Sequence, residues 1–155
     1  MTITTRAPRL APRSSRRIAL VLAPLLVLGL AACQPTPEQE SVRGHINQSR
    51  QSHGVHRISG DPILDHKAQR WAEHLASNGR LAHSTLSSGL DGLPWTAVAE
   101  NVGRGSSIGQ VHDQYMGSSR HRANILDRRW SRVGTGHAVG RDGHVYTVQV
   151  FVALR

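Results

Sequence analysis

The side chains that could do chemistry fall in three short pieces. The densest is Gly117-Ser118-Ser119-Arg120-His121-Arg122-Ala123-Asn124-Ile125-Leu126, which sets a histidine, two arginines and an amide ahead of an apolar pair. Upstream stand Ala82-His83-Ser84 and Glu100-Asn101-Val102. Together they offer two imidazoles, His83 and His121, and one carboxylate, Glu100. Two neutral imidazoles and a carboxylate can make a three-ligand zinc site with an open position. The same groups can equally form a hydrogen-bonded network that ties loops to a core, because a buried polar group left unsatisfied costs about 1–3 kcal/mol. Ser84, Ser118 and Ser119 supply the ingredients of a Ser-His-Glu hydrolase, but none of these three lies in a Gly-x-Ser-x-Gly elbow. Gly103-Arg104-Gly105 does not follow a phosphate-loop pattern.

Helices and strands must position these pieces. Asp61-Pro62 is an N-cap followed by proline at the first helical position. Leu64, Ala68, Trp71, Ala72 and Leu75 then recur at helical spacing, and Asn78-Gly79 stops the run. Trp71 is expected to anchor the core of that helix, and His66 to lie on its solvated side. A Gly/Ser-rich stretch to Pro94 follows, long enough to be functional or mobile. Trp95 to Val102 delivers Glu100 on a short strand or turn. Ser106-Ser107 caps a helix over Ile108 to Met116 with Val111 and Tyr115 on one face. Gly117 breaks it, and a short helix or turn covers Arg120 to Leu126. Val133, Thr135, His137 and Val139 alternate, Gly140-Arg141-Asp142-Gly143 turns, and Tyr146, Val148, Val150 and Val152 alternate again, which is a hairpin. Helices first and antiparallel strands after read as an α+β fold.

The first 32 residues carry five arginines, no acid, an apolar run from Ile18 to Leu30 and small residues at the end. That is the pattern of a secretory signal, and the run is short of the ~20 residues of a membrane span. Leu30-Ala31-Ala32-Cys33 resembles a bacterial lipobox, so Cys33 is expected to be lipidated and to hold the protein on an extracytoplasmic membrane surface. Residues 33–44, with Gln34 to Glu40 rich in Pro and Glu, read as a lipidated cysteine and flexible tether. Residues 45–155 read as one domain. Cys33 is the only cysteine, so that domain must be held by its core rather than by disulfides; its length suffices for one.

The formal charge of +9 is inflated by the leader. Without it, 14 Lys and Arg face all 10 acids, and Arg128-Arg129 is the longest basic run left. Nucleic-acid binding calls for a clustered basic face and is not expected. A modest basic balance is compatible with anionic lipid heads or wall polymers.

The order of the pieces carries a family resemblance. Ala82-His83-Ser84, then Glu100-Asn101-Val102, then Tyr115-x-x-Ser118-x-x-His121-Arg122-x-Asn124-Ile125-Leu126, then Val133-Gly134-x-Gly136 and a strand with Gln149-Val150-Phe151 resembles the CAP superfamily of cysteine-rich secretory, antigen 5 and pathogenesis-related-1 proteins, in its small bacterial branch. The likeness spans about Ile46 to Val152, with Asn47 and Arg50 in its opening segment. It implies an α-β-α sandwich with a central antiparallel sheet flanked by helices. It also implies that His83, Glu100 and His121 are three members of a cleft tetrad that holds a divalent cation in some relatives, and that they converge on one concave pocket. The position of the fourth member, an acid, is Ser118 here, and Asp113 lies on a different helical face. Any cation, zinc first, is therefore expected to be held weakly. Some relatives bind sterols and fatty acids, which implies a lipid or other small hydrophobic ligand, or an envelope partner. A hydrolase acting on peptide or wall polymer, or an adhesion module with a vestigial cleft, stays open beside it. Many animal relatives are disulfide-stapled, and this chain departs from them there.

Overall fold

The computed structural model describes residues 34–155; the expected leader and the lipidation site Cys33 lie outside the described residues. The elements run α1 (Pro37–Ser52), β1 (Ser59–Gly60), α2 (Pro62–Asn78), β2 (Trp95–Gly105), α3 (Ile108–Gly117), α4 (Ser119–Leu126), β3 (Arg132–Val139) and β4 (Val145–Leu154). The sheet order is β1-β3-β4-β2.

β4 is the spine. It pairs antiparallel with β2 on one side and β3 on the other. The two faces of a strand alternate residue by residue, and here both are covered. Val148, Val150 and Val152 pack with Leu64, Ala68, Ala72 and Leu75 of α2. Phe151 and Ala153 pack with Val42 and Ile46 of α1, Val111 and Tyr115 of α3, and Ile125 of α4. The result is the expected α-β-α sandwich, with α2 alone on one face. One detail differs: β1 joins β3 in parallel, so the sheet is mixed, because the chain leaving α1 meets the sheet edge running the same way as β3.

The Val133-Gly134-x-Gly136 motif has a packing reason. A Cβ on Gly134 would lie 2.1 Å from the Leu64 carbonyl carbon, and one on Gly136 would lie 2.2 Å from the Ala68 oxygen. Hydrogen at both positions lets α2 rest directly on the β3 backbone. Asp65 secures that contact, its Oδ1 accepting from the Thr135 amide at 2.8 Å.

α2 keeps the expected caps: Asp61 accepts from the amides of Ile63 and Leu64, and Gly79 ends the helix at φ 65°. α1 corrects the expectation of a tether. It begins at Pro37, so residues 37–44 are its first half. Thr36 caps it, accepting from the Gln39 amide, while the Gln39 side chain accepts from the Thr36 amide. This reciprocal capping box makes a helix of a Pro/Glu-rich stretch.

Candidate functional site

Consecutive residues on β2 part at the sheet. Glu100 lies opposite Val150 and Asn101 opposite Gln149, so the first faces the α2 layer and the second the α3/α4 layer. The Asn101 amide donates to Gln149 Oε1 at 3.0 Å and to the His121 carbonyl at 3.2 Å, and its Oδ1 accepts from Asn124 at 2.9 Å. Thus the Asn of one motif and the Asn of the other join α4 to the sheet.

Glu100 performs the matching task on its own side. Its Oε1 accepts from the Ser84 amide and lies 2.9 Å from His83 Nδ1; its Oε2 accepts from the Ser84 hydroxyl at 2.6 Å. The carboxylate is fully buried, whereas the His83 side chain is 59% exposed. The loop carrying His83 is clasped at two further points. Trp71 Nε1 donates to the Ala82 carbonyl at 2.9 Å, and Lys67 Nζ donates to the carbonyls of Thr85 and Ser88 at 3.0 and 2.8 Å. Leu90 then enters the core. A Gly/Ser-rich stretch that reads as free in sequence is fastened along its length.

His121 stands on α4, half-buried, with its ring edge-on to Tyr115 at 5.1 Å. Burial, and then the charge of nearby His83, hold its pKa below the ordinary histidine range. Tyr115 is itself fixed by donating to the Thr147 carbonyl at 2.9 Å, and burial raises its pKa. Ser118 occupies the joint between α3 and α4, where its carbonyl accepts from the Arg122 amide.

The three expected members are therefore brought near one another: Glu100 meets His83 directly, and His83 is close enough to His121 to act on its charge. A concavity of about 1060 Å³ lies along α2 and is lined by His83, Ser84, Trp71, Lys67 and Ile63 among others, while Glu100, Ser118 and His121 are outside its wall. Glu100 is roofed by the loop it holds. Trp71 departs from expectation. It is half-buried rather than a core anchor, stacked on His74 at 4.6 Å and facing the groove. The buried tryptophan is Trp130, donating to the Asn124 carbonyl and stacked on Phe151.

This geometry bears on the chemistry. In a nucleophile–base pair the hydroxyl bonds to the imidazole; here Ser84 and His83 both bond to Glu100, so neither activates the other. The fit to a metal is poor as well. The Glu100 oxygens are taken by His83 and Ser84, Ser118 brings no charge, and among the described residues no three His, Cys, Asp or Glu side chains are arranged to hold an ion.

Sequence reasoning passed over several buried polar groups. Arg50, fully buried, donates to the carbonyls of His56, Ile125 and Asp127. Arg43 pairs with Asp65 at 3.2 Å between α1 and α2. His112 lies against Ser49 at 2.7 Å and stacks on His45 at 5.2 Å. Each sits on a helical face where a polar residue reads as solvated.

Comparison with known proteins agrees with this layout. Residues 44–151 match the model of the CAP, or cysteine-rich secretory protein, family, and the chain belongs to that family. Among solved structures it is similar to an outer surface protein of Borrelia burgdorferi, at 15% identity and TM-score 0.67, covering 75% of this chain and 92% of that one. It is similar also to a Staphylococcus aureus cysteine-rich secretory protein, at 22% identity and TM-score 0.61, covering 77% and 39%. A Bacillus anthracis extracellular protein containing an SCP domain gives 20% identity and TM-score 0.61, covering 74% and 40%. At these identities the likeness is one of fold. No curated protein matches the chain.

Proposed function

We propose that this CAP domain is an extracytoplasmic binding module, held on a bacterial membrane through Cys33, that takes a lipid or other small amphipathic ligand in the groove along α2. The observation that carries the reading is the groove itself. At about 1060 Å³ it has the size of a small-molecule site, and Trp71, Pro62 and Ile63 give it apolar wall beside the polar His83. The Ser84–Glu100–His83 bonds favour binding over hydrolysis, since they spend the would-be nucleophile on holding the loop. The membrane setting rests on the leader and lipobox; among the described residues no helix is long and apolar enough to cross a membrane. The family's secretory character and the surface or extracellular description of two structural neighbours support it.

Every helix and strand of the described residues and both core clusters lie within residues 37–154, so the fragment from Gln34 contains the described fold. Native mass spectrometry of that fragment, purified under mild conditions, tests the reading. A co-purifying ligand lost on Trp71→Ala supports it. An empty groove that also fails to take fatty acids, sterols or phospholipids from added mixtures overturns it.

A further inference from the structure

We infer that the groove along α2 faces the bilayer to which the protein is tethered, and that its occupant is the acidic head group of a lipid in that bilayer. The inference rests on the groove reading and on Cys33 as the anchor, and it adds which way the groove points and what it takes.

Three independent observations meet on this face. The first is position. Gln34 and Pro35 line the groove, and Cys33 is the next residue up the chain, so a lipid attached there leaves the protein beside the groove rather than at the far layer.

The second is charge. The wall presents two cations, Lys67 and Arg70, and the imidazoles of His66, His74 and His83 against one acid, Asp65, and that acid is engaged by Arg43 and the Thr135 amide. Lys67 has given two of its three N–H bonds to Thr85 and Ser88, which fixes the ammonium in place with one donor left. A fixed cation ringed by imidazoles suits a phosphodiester. Basic side chains next to a membrane surface each add to attraction for anionic lipid.

The third is apolar exposure. The large hydrophobic side chains exposed among the described residues are Ile63, Leu81, Leu86 and Val139. Ile63 is in the groove wall; in sequence Leu86 stands between the lining residues Thr85 and Ser88, and Leu81 precedes Ala82, whose carbonyl Trp71 holds. Exposed leucines and isoleucine beside a half-buried tryptophan and the Lys67 and Arg70 cations match the layered polarity of a membrane interface. A soluble acidic ligand would account for the cations and leave the projecting Leu81 and Leu86 without a role.

The test uses the fragment from Gln34 to Arg155, which has no anchor of its own, with vesicles of phosphatidylcholine alone or mixed with phosphatidylglycerol. The fragment is expected to sediment with the mixed vesicles at low salt, to be released by salt, and to stay in solution with phosphatidylcholine. Arg70→Glu reverses one exposed charge in the wall and lowers partitioning on the order of 30-fold, from about fivefold for each of the two units of charge changed. Leu86→Ser lowers it several-fold. Arg122→Glu, in the layer across the sheet, leaves it unchanged. Glycerol phosphate in solution competes only weakly, because it lacks the bilayer that Leu81 and Leu86 enter. Equal binding to both vesicle types, no binding to either, loss on Arg122→Glu, or full competition by glycerol phosphate overturns the inference. A ligand seen by mass spectrometry without vesicle binding sinks this inference while the groove reading stands.

Discussion

Glu100 and Asn101 are adjacent on β2 and fasten opposite layers of the sandwich. Glu100 holds the loop that follows α2 through Ser84 and His83, and Asn101 holds α4 through Asn124 and the His121 carbonyl. A strand's alternation turns a two-residue motif into a clasp on each side of the sheet. That relation makes the motif a structural device first, with His83 as its exposed product at the groove.

Removing the carboxylate therefore loosens the loop before it alters any chemistry. Glu100→Ala is expected to cost about 2 kcal/mol, since charged hydrogen bonds are lost but Ser84 and His83 can turn to water. Amide exchange from 80 to 90 should rise more than in β4. Unchanged exchange there would mean that Trp71 and Lys67 hold the loop unaided.

The two tryptophans should separate in stability. Trp130→Ala removes a buried ring and is expected to cost about 3–5 kcal/mol. Trp71→Ala removes a half-buried ring and its bond to Ala82, and about half that loss is expected. Denaturant midpoints compare them directly; equal losses would return Trp71 to the core.

Acid should destabilise the domain through His112. Burial, with His45 adding, pushes its imidazole down from the usual range to about 4, and Asp113 opposes only weakly. The unfolded chain takes up that proton near pH 6.5. Between pH 6.5 and 4 the unfolded state thus binds more protons, so stability is complete above 6.5 and falls as pH drops through this window. After allowance for solvent screening the loss is about 1–2 kcal/mol. His112→Gln should flatten the melting temperature between pH 7 and 4.5, and a slope unchanged in the variant would place the sensitivity elsewhere.

Zinc should bind weakly if at all, because Glu100 must first release Ser84. Restoring an acid with Ser118→Glu is expected to increase any rise in melting temperature that zinc produces at pH 7.5, and acid should weaken the rise because ligand protonation competes with the metal. No zinc response in either protein would leave the cluster purely structural.

The proposed lipid anchor is tested at Cys33. Two acyl chains give stable anchoring where one does not, so Cys33→Ser is expected to move the protein from membrane to soluble fractions or to arrest its processing. A variant processed normally and still membrane-bound would remove the lipobox from the account.

Much of this fold is readable because its signals are local. Asp61-Pro62 and Asn78-Gly79 bracket α2 within one residue of its observed ends, and the alternation either side of Gly140 to Gly143 marks β3 and β4. The start of α1 escaped because its buried face includes Gln39, Arg43, Asn47 and Arg50. Those spacings are helical, but polar side chains conceal them, since what they bond to lies up to 96 residues away. The Thr36–Gln39 capping signature was the local clue. The site was half legible for the same reason. His83 and Glu100 meet, but that Ser84 takes up the carboxylate, and that a groove opens along α2, are consequences of packing.

The doubly covered β4 also sets when this domain can exist. It is the last of the eight elements in chain order, and the rest of the sheet is organised on it. A chain threaded N-terminus first through a narrow pore would have α1, α2 and β2 on the far side with no central strand to pack against. Until β4 emerges, neither core cluster can close. Local helices can flicker meanwhile, but the long-range pairings arrive together and late. The order of the elements thus leaves a partly emerged chain without its central strand, and the sandwich closes only once the C-terminal strand is present.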